Sequence, residues 1–288
     1  MSSALANRRG IVLMLAAMAC YAVNDTFVKL TASTLPPGQV LAVRGAFATF
    51  VGLLIARAAH LPPTRLAGGR LLALRCVLEV TTALTSVLAL ASAPLATTTA
   101  VMMSAPLVIG LASAMLGWEP WRGARAGAAL VGFVGVLMVA QPWAGSGQLD
   151  AGIGYAFLCA ASLAARDLVT RRLPATVSSA AVAVLTTAAV CLAGVALGAR
   201  ERWEAVAPSA VGCLAVAAVC TAFGNLALIA ACRESDLGVV TPFRYSLVVW
   251  AMLLGFLVWG EVLDPVSLAG VALICGAGMR VAHSAGRR

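Results

Sequence analysis

Residues Val80–Trp118 contain no Asp, Glu, Lys or Arg, and Ala126–Leu149, Leu173–Ala199 and Ala205–Cys232 are equally free of charge. A helix that crosses a bilayer needs about 20 apolar residues, so the first run must hold two spans. The turn between them falls at Ala91-Ser92-Ala93-Pro94, where proline and small polar residues interrupt a helix most easily. The 288 residues are 61% hydrophobic and 11% charged, against roughly a quarter charged in soluble domains. Segmentation on this basis predicts ten short spans at 10–31, 38–57, 71–91, 97–117, 125–142, 152–171, 178–198, 209–231, 238–258 and 265–282. The fold class is therefore all-α integral membrane, multi-pass, with the lipid bilayer as its solvent and no room for a soluble domain.

The chain also repeats itself. Thr241–Glu261 lies over Thr99–Glu119 at an offset of 142 residues, with Ser246 on Ser104 and Trp259-Gly260-Glu261 on Gly117-Trp118-Glu119. Without a gap, Gly10 falls on Gly152, Ala22 on Ala164, Asp25 on Asp167 and Lys29 on Arg171. Two five-span repeats follow, residues 1–142 and 152–288, joined by a short Gly- and Ser-rich loop at 143–151. Five is odd, so the second repeat enters the membrane from the opposite face, and the pair is inverted. Inverted halves suit alternating access, because they can exchange conformations around a site near the bilayer midplane.

Charge placement predicts orientation. With both termini cytoplasmic, the inner segments collect Arg8, Arg9, Arg57, Arg65, Arg70, Arg122, Arg125, Arg171, Arg172, Arg233, Arg280, Arg287 and Arg288, as the positive-inside rule requires. Arg200 and Arg202 break the pattern, accompanied by Glu201 and Glu204. The formal charge of +9 is explained by this arrangement, and no nucleic-acid partner is expected. Arg8-Arg9 ahead of Ile11–Tyr21 imitates a secretory leader, but that segment takes part in the repeat and reads as a span. The eight cysteines are scattered without a C-x-x-C pair and read as small core residues, so neither metal nor cofactor is expected. G-x-S-x-G, H-E-x-x-H and Walker A motifs are lacking, and the chain reads as a non-enzyme.

Polar residues inside the spans are the candidate site. Arg75, Glu79, Thr82 and Ser86 are spaced by four, three and four on one face of the third span. A mid-membrane carboxylate costs about 2.5–3.5 kcal/mol on insertion scales, so Glu79 faces either a wet cavity or a partner such as Arg75 or Arg44. The first span carries Tyr21, Asn24, Asp25 and Lys29, with Tyr21, Asp25 and Lys29 on one face, and the matching cluster of the second repeat is Arg166, Asp167, Arg171 and Arg172, with Arg166 under Asn24. Asp25, Lys29, Arg44, Asp167 and Arg171 are candidates for gates at opposite ends; the plainer alternative is Asp25–Lys29 and Asp167–Arg171 pairing within each helix. Met102 and Pro106 share a face of the fourth span, and Pro106 predicts a kink, local unwinding or hinge there. Thr221 and Asn225 share a face of the eighth span, and Thr221 is the repeat counterpart of Glu79. Tyr245 and Trp250 of the ninth either stack on a substrate or pack, and Arg244 snorkels or meets a carboxylate. Gly123, Gly127, Gly132 and Gly135 of the fifth span and Gly270, Gly276 and Gly278 of the tenth suit close helix contact, within the chain or in a homodimer.

The five-plus-five arrangement, the mid-span Pro106 and the span-ending Gly117-Trp118-Glu119 and Trp259-Gly260-Glu261 together resemble the drug/metabolite transporter superfamily, in its EamA-like ten-helix branch. The resemblance covers essentially the whole chain. It implies a basket of ten helices around a central cavity, lined mainly by the first, third, fourth, sixth, eighth and ninth spans. The second copy departs from the pattern, since Val248 stands where Pro106 would fall and proline occurs earlier, at Pro242. The resemblance implies transport of amino acids, nucleotide sugars, S-adenosylmethionine, other metabolites or drugs in a bacterial inner membrane. With Glu79 as the acidic group, it leans towards amino acid export in the manner of YddG-like exporters.

Overall fold

The computed structural model describes residues 3–58, 69–115, 123–141, 151–170, 172–174, 177, 179–234 and 240–285. Among the described residues eleven α-helices run in chain order: α1 Ser3–Ala32, α2 Pro37–Ala58, α3 Gly69–Ser92, α4 Leu95–Met102, α5 Ala105–Met115, α6 Gly123–Ala140, α7 Ala151–Thr170, α8 Ser179–Gly198, α9 Pro208–Glu234, α10 Ser246–Trp259 and α11 Pro265–Ala285. A 3₁₀ turn, Thr241–Tyr245, precedes α10. No strand occurs among the described residues. Grouped as α4 with α5, and the 3₁₀ turn with α10, these are the ten predicted helical elements. Six of them, α1, α2, α3, α7, α8 and α9, are long and apolar enough to cross a membrane by length and composition.

Local chemistry sets the helix ends. Pro37, Pro208 and Pro265 each open a helix, at a position whose N–H is unpaired in any case. Pro94 stands at the predicted turn and precedes α4 in an extended conformation. The first helix begins at Ser3, seven residues ahead of its expected start, and carries Arg8 and Arg9 on the helix itself. The apolar pattern marks where a helix enters lipid, whereas the hydrogen-bonded ladder continues through residues that solvent tolerates.

The predicted unwinding of the fourth span is present. α4 stops at Met102 and α5 resumes at Ala105, and Pro106 has no N–H to give to the Met102 carbonyl one turn back. The ninth span is broken at the equivalent place: Ser104 precedes α5 and its repeat partner Ser246 opens α10. There the tighter 3₁₀ geometry of Thr241–Tyr245 makes the break without a proline at 248. The two serines behave differently, for Ser104 Oγ donates to the Val101 carbonyl (2.7 Å) while Ser246 Oγ is buried with no partner among the described residues.

The two five-helix repeats interlock across their pseudo-twofold axis. α2 lies along α8 and α6 along α11, each helix meeting its own repeat partner, and α1 lies along α9 as α3 lies along α7. Small residues allow the self-paired contacts: a Cβ added at Gly45 of α2 would lie 2.7 Å from the Cys191 backbone, and one at Gly135 of α6 would lie 2.6 Å from the Gly270 carbonyl of α11. At Gly135 and Gly270 the glycine faces of the fifth and tenth spans meet within the chain. The apolar core includes Val28, Leu41, Leu90, Leu95 and Leu214, while Phe50, Leu130, Phe133, Leu192, Phe223 and Leu257 point outward. An outer surface of that composition is solvated by lipid.

Ties join the helices at the end of the bundle where α1 stops and α2 starts. Gln39 Nε2 donates to the Glu204 carbonyl (2.7 Å) and the Glu204 N–H returns to Gln39 Oε1 (3.2 Å). The Gly38 N–H donates to Glu201 Oε2 (3.0 Å). Glu201, through its carboxylate, and Glu204, through its backbone, thus hold the first turn of α2.

Candidate functional site

Charges of α3 and α7 meet where these two helices pack. In α3, Arg75 and Glu79 lie one turn apart, and Arg75 Nη1 meets Glu79 Oε2 at 2.5 Å. From α7, Arg166 Nη1 approaches Glu79 Oε1 at 3.5 Å while its Nη2 binds Asp167 Oδ1 at 2.9 Å. Arg75 Nε also donates to Thr170 Oγ1 (2.7 Å). Both carboxylate oxygens of Glu79 therefore face guanidinium groups, which accounts for a carboxylate at this depth. One turn along, Thr82 Oγ1 donates to Ser162 Oγ of α7 (3.1 Å), and Ser86 is half-buried further along α3.

The first and second spans bring Asp25 and Arg44. Asn24 Nδ2 donates to Asp25 Oδ1 (2.8 Å), and Asn24 Oδ1 accepts from Thr221 Oγ1 of α9 (3.0 Å). Tyr21, one turn before Asp25, donates its hydroxyl to Asn225 Oδ1 (2.5 Å). Thr221 and Asn225, singled out for sharing a face of the eighth span, both turn that face to α1. Arg44 lies within electrostatic reach of Asp25 and of Glu79.

Lys29 goes elsewhere. Instead of pairing with Asp25 four residues back, Lys29 Nζ binds Glu261 Oε1 (2.5 Å) and the Ala93 carbonyl (2.8 Å), and lies 4.9 Å from the centre of the Trp259 ring. Glu261 Oε2 accepts the N–H of Leu95 (2.8 Å), in the first turn of α4. The conformation after α10 makes this possible: Gly260 is left-handed (φ 68°), a conformation that glycine adopts without steric cost, and it folds Glu261 back over the last turn. Gly255 is needed beneath it, because a Cβ there would lie 2.8 Å from Glu261 Oε2. The terminal Gly-Glu of the ninth span is thus the element that ties α1, the α3–α4 turn and α10 together.

The other predicted positions divide between core and surface. Tyr245 is buried in an apolar cluster with Val101, Val136 and Ile274, against which Met102 packs, and Trp250 packs on a second cluster around Met14, Met18 and Leu247. Arg244 is exposed, and Pro106 stands in the first turn of α5. Arg171 lies outside the described residues, and Asp167 is held by Arg166. Arg166 is the more central member of its pair, and Ser162, Thr170 and Glu261 also complete contacts that sequence reasoning did not assign. A signal for Arg166 existed in the offset: Asn24 and Thr221 are the repeat counterparts of Arg166 and Glu79, and both pairs are in contact.

Residues 8–141 and 150–279 each match the EamA-like transporter family. The chain is 27% identical over 275 residues to the pseudopaline exporter CntI of Pseudomonas aeruginosa (strain UCBPP-PA14), covering 93% of both chains. It is 26% identical over 288 residues to an uncharacterized transporter of Helicobacter pylori (strain J99), covering 95% of this chain and 94% of the relative. A solved crystal structure shares the fold with a TM-score of 0.64 at 21% identity, over 94% of this chain and 96% of the other.

Proposed function

Because the chain belongs to the EamA-like transporter family, we propose that this membrane transporter exports small metabolites, amino acids foremost, by alternating access across a bacterial inner membrane. The observation that carries the reading is the charged cluster where the repeats cross, with α1 and α3 of one repeat against α9 and α7 of the other. Intramembrane charges of this kind mark substrate pathways. The α1–α9 and α3–α7 contacts are equivalent by the repeat, so loosening one while tightening the other exposes the cluster to each side in turn. The exporter so named among its relatives supports the outward direction.

Export of amino acids is tested with purified protein in liposomes loaded with labelled methionine, threonine, lysine, glutamate or phenylalanine. Efflux is followed with and without a pH gradient. Saturable efflux above empty liposomes is the expected result. Efflux that rises linearly with concentration assigns a channel instead, and no efflux of any of the five removes amino acids as the substrate class.

A further inference from the structure

The ion pair of Lys29 and Glu261 sits where two broken spans meet at their tips. α4 stops at Met102 before α5 resumes at Ala105, and α10 starts at Ser246 after a 3₁₀ turn. Interrupted ladders and 3₁₀ geometry inside a span mark hinges. Away from those breaks, α4 begins at Leu95 and α10 ends at Trp259, and Glu261 reaches both. Its N–H donates to the Gly255 carbonyl (3.1 Å) and the Gly260 N–H to the Phe256 carbonyl (2.9 Å), so the acid is carried by the tip of α10 as one piece. Its carboxylate accepts from the Leu95 N–H (2.8 Å) and from Lys29 Nζ (2.5 Å), while Lys29, from α1, also donates to the Ala93 carbonyl (2.8 Å). The other described ties at this end leave these elements alone: Glu201 and Glu204 hold α2, and Asp264 joins α11 to Gln141 after α6.

We propose that Lys29 and Glu261 form a latch that holds this end of the bundle shut, and that α4 and α10 swing about their mid-span breaks when it opens. The inference rests on the alternating-access reading above and names the contact that closes one side. With both termini cytoplasmic, as the charge placement predicts, that side is the outer one, where an exporter releases its substrate. The lever is long enough. α10 has 14 residues and is about 21 Å long, so a swing of about 15° carries its tip roughly 5 Å, about twice the ion-pair distance. The closed state is held by the charges and by the Lys29 ammonium over the Trp259 ring, 4.9 Å from its centre. The open state is reachable because Glu261 also lines a cavity of about 520 Å³, with Pro94, Thr97, Phe256, Leu268 and the exposed Asp264. Water entering past Asp264 solvates the carboxylate as Lys29 leaves, so separation does not strand a buried charge.

The test reads the distance across the latch, which does not depend on what is carried. Spin labels are placed at Ser33 and Val262, both exposed, in a full-length chain whose eight cysteines are replaced by alanine or serine. Distances in liposomes are measured by double electron–electron resonance. The expected parent distribution is mainly short. Lys29→Gln and Glu261→Gln should each add a population longer by about 5 Å, its ratio to the short one rising roughly 10- to 100-fold, while Lys29→Arg, which keeps the charge, should stay with the parent. Unchanged distributions in both Gln variants overturn the latch and leave the exporter reading standing. Lengthening in Lys29→Arg as large as in Lys29→Gln overturns it too, because shape rather than charge would then hold the contact. In the chain with its native cysteines, Lys29→Gln should weaken the half-saturation of amino acid efflux from the inner side roughly 10-fold, since fewer molecules are open there to load. An unchanged half-saturation overturns the latch where the labelled chain fails to fold. Absence of amino acid efflux removes that substrate class, and the distances alone then decide.

Discussion

The contact of α1 with α9 and that of α3 with α7 are the same contact made twice, by residues 142 positions apart, and they are made with opposite chemistry. In one, Thr221 donates to Asn24 at 3.0 Å. In the other, Arg166 approaches Glu79 at 3.5 Å, and Arg75 binds the second oxygen. Next to each, the neighbouring carboxylate is bound in the same manner, Asp25 by Asn24 and Asp167 by Arg166. The backbone arrangement therefore tolerates either a neutral pair or an ionic network. The difference teaches that the repeat specifies which helices cross, while an ionic link across the contact is made at only one of these two crossings among the described residues. A neutral hydrogen bond between spans is worth about 0.6 kcal/mol on average, whereas a buried ion that loses its partner costs roughly 3–5 kcal/mol.

The largest effect is expected from Glu79→Gln, which removes the carboxylate between Arg75 and Arg166 and leaves Arg166 only its neighbour Asp167. Unfolding of the purified protein in detergent should register a loss of roughly 3–5 kcal/mol. The same comparison supplies its own repair. Arg75→Ala, Glu79→Thr and Arg166→Asn together install the residues that the other copy carries at Ala217, Thr221 and Asn24, and the triple variant should regain most of the stability lost by Glu79→Gln alone. A triple variant no more stable than the single one would show that the two crossings are not interchangeable.

Glu261→Gln comes next, since it keeps the shape of the tie to Lys29 and removes its charge. A hydrogen bond to an ionised group contributes roughly 1.5–3 kcal/mol, and both side chains are mostly shielded, at 13% and 19% exposure. Because Glu261 Oε2 also accepts the Leu95 N–H, hydrogen exchange at Leu95 should accelerate. Unchanged exchange there would mean that the first turn of α4 holds without the acid.

Thr221→Val tests the neutral crossing and should be mild. It removes the hydroxyl given to Asn24 at a cost of about 0.6 kcal/mol, with roughly 1.7 as a ceiling. A loss as large as that of Glu79→Gln would erase the distinction between the copies.

How far the sequence reached follows the same division. Helices and their turns were legible because lipid imposes a length and a hydropathy on each span, and Pro94, Pro37, Pro208 and Pro265 mark ends by local chemistry. The break at Ser104 was visible in Pro106. Its twin at Ser246 was not, since Pro242 precedes the break and nothing in the 3₁₀ turn stands at the equivalent position. Charged partners were legible only where they sit on one helix, as Arg75 and Glu79 do. Lys29 was matched on helical spacing to Asp25, yet the αL turn at Gly260 delivers Glu261 from far along the chain. Arg166 was in view as the counterpart of Asn24, but the offset maps one copy onto the other and is silent on which helices touch. Only the packing of α3 on α7 brings it to Glu79.

The smallest effect lies outside the spans, where water competes for every group. Asp264 precedes α11, accepts the N–H groups of Val266 (3.1 Å) and Ser267 (3.4 Å), and accepts from Gln141 Nε2 at 2.8 Å. Hydrogen bonding, first from the Ser267 hydroxyl and then from Gln141 and the two amides, holds its carboxyl below the ordinary value of 3.8, against a smaller opposing effect of burial. A carboxyl lowered in the folded state stabilises that state when ionised, so the contribution is complete above the ordinary value and is lost as pH falls through it towards the lowered one. Hydrogen exchange at Val266 and Ser267, corrected for intrinsic rates, should therefore accelerate below about pH 4 in the wild type and lose that dependence in Asp264→Asn. The tie is fully exposed, and its removal should leave the unfolding midpoint nearly where it was. A large shift on Asp264→Asn would place the α6–α11 junction alongside the ionic crossing as a determinant of the fold.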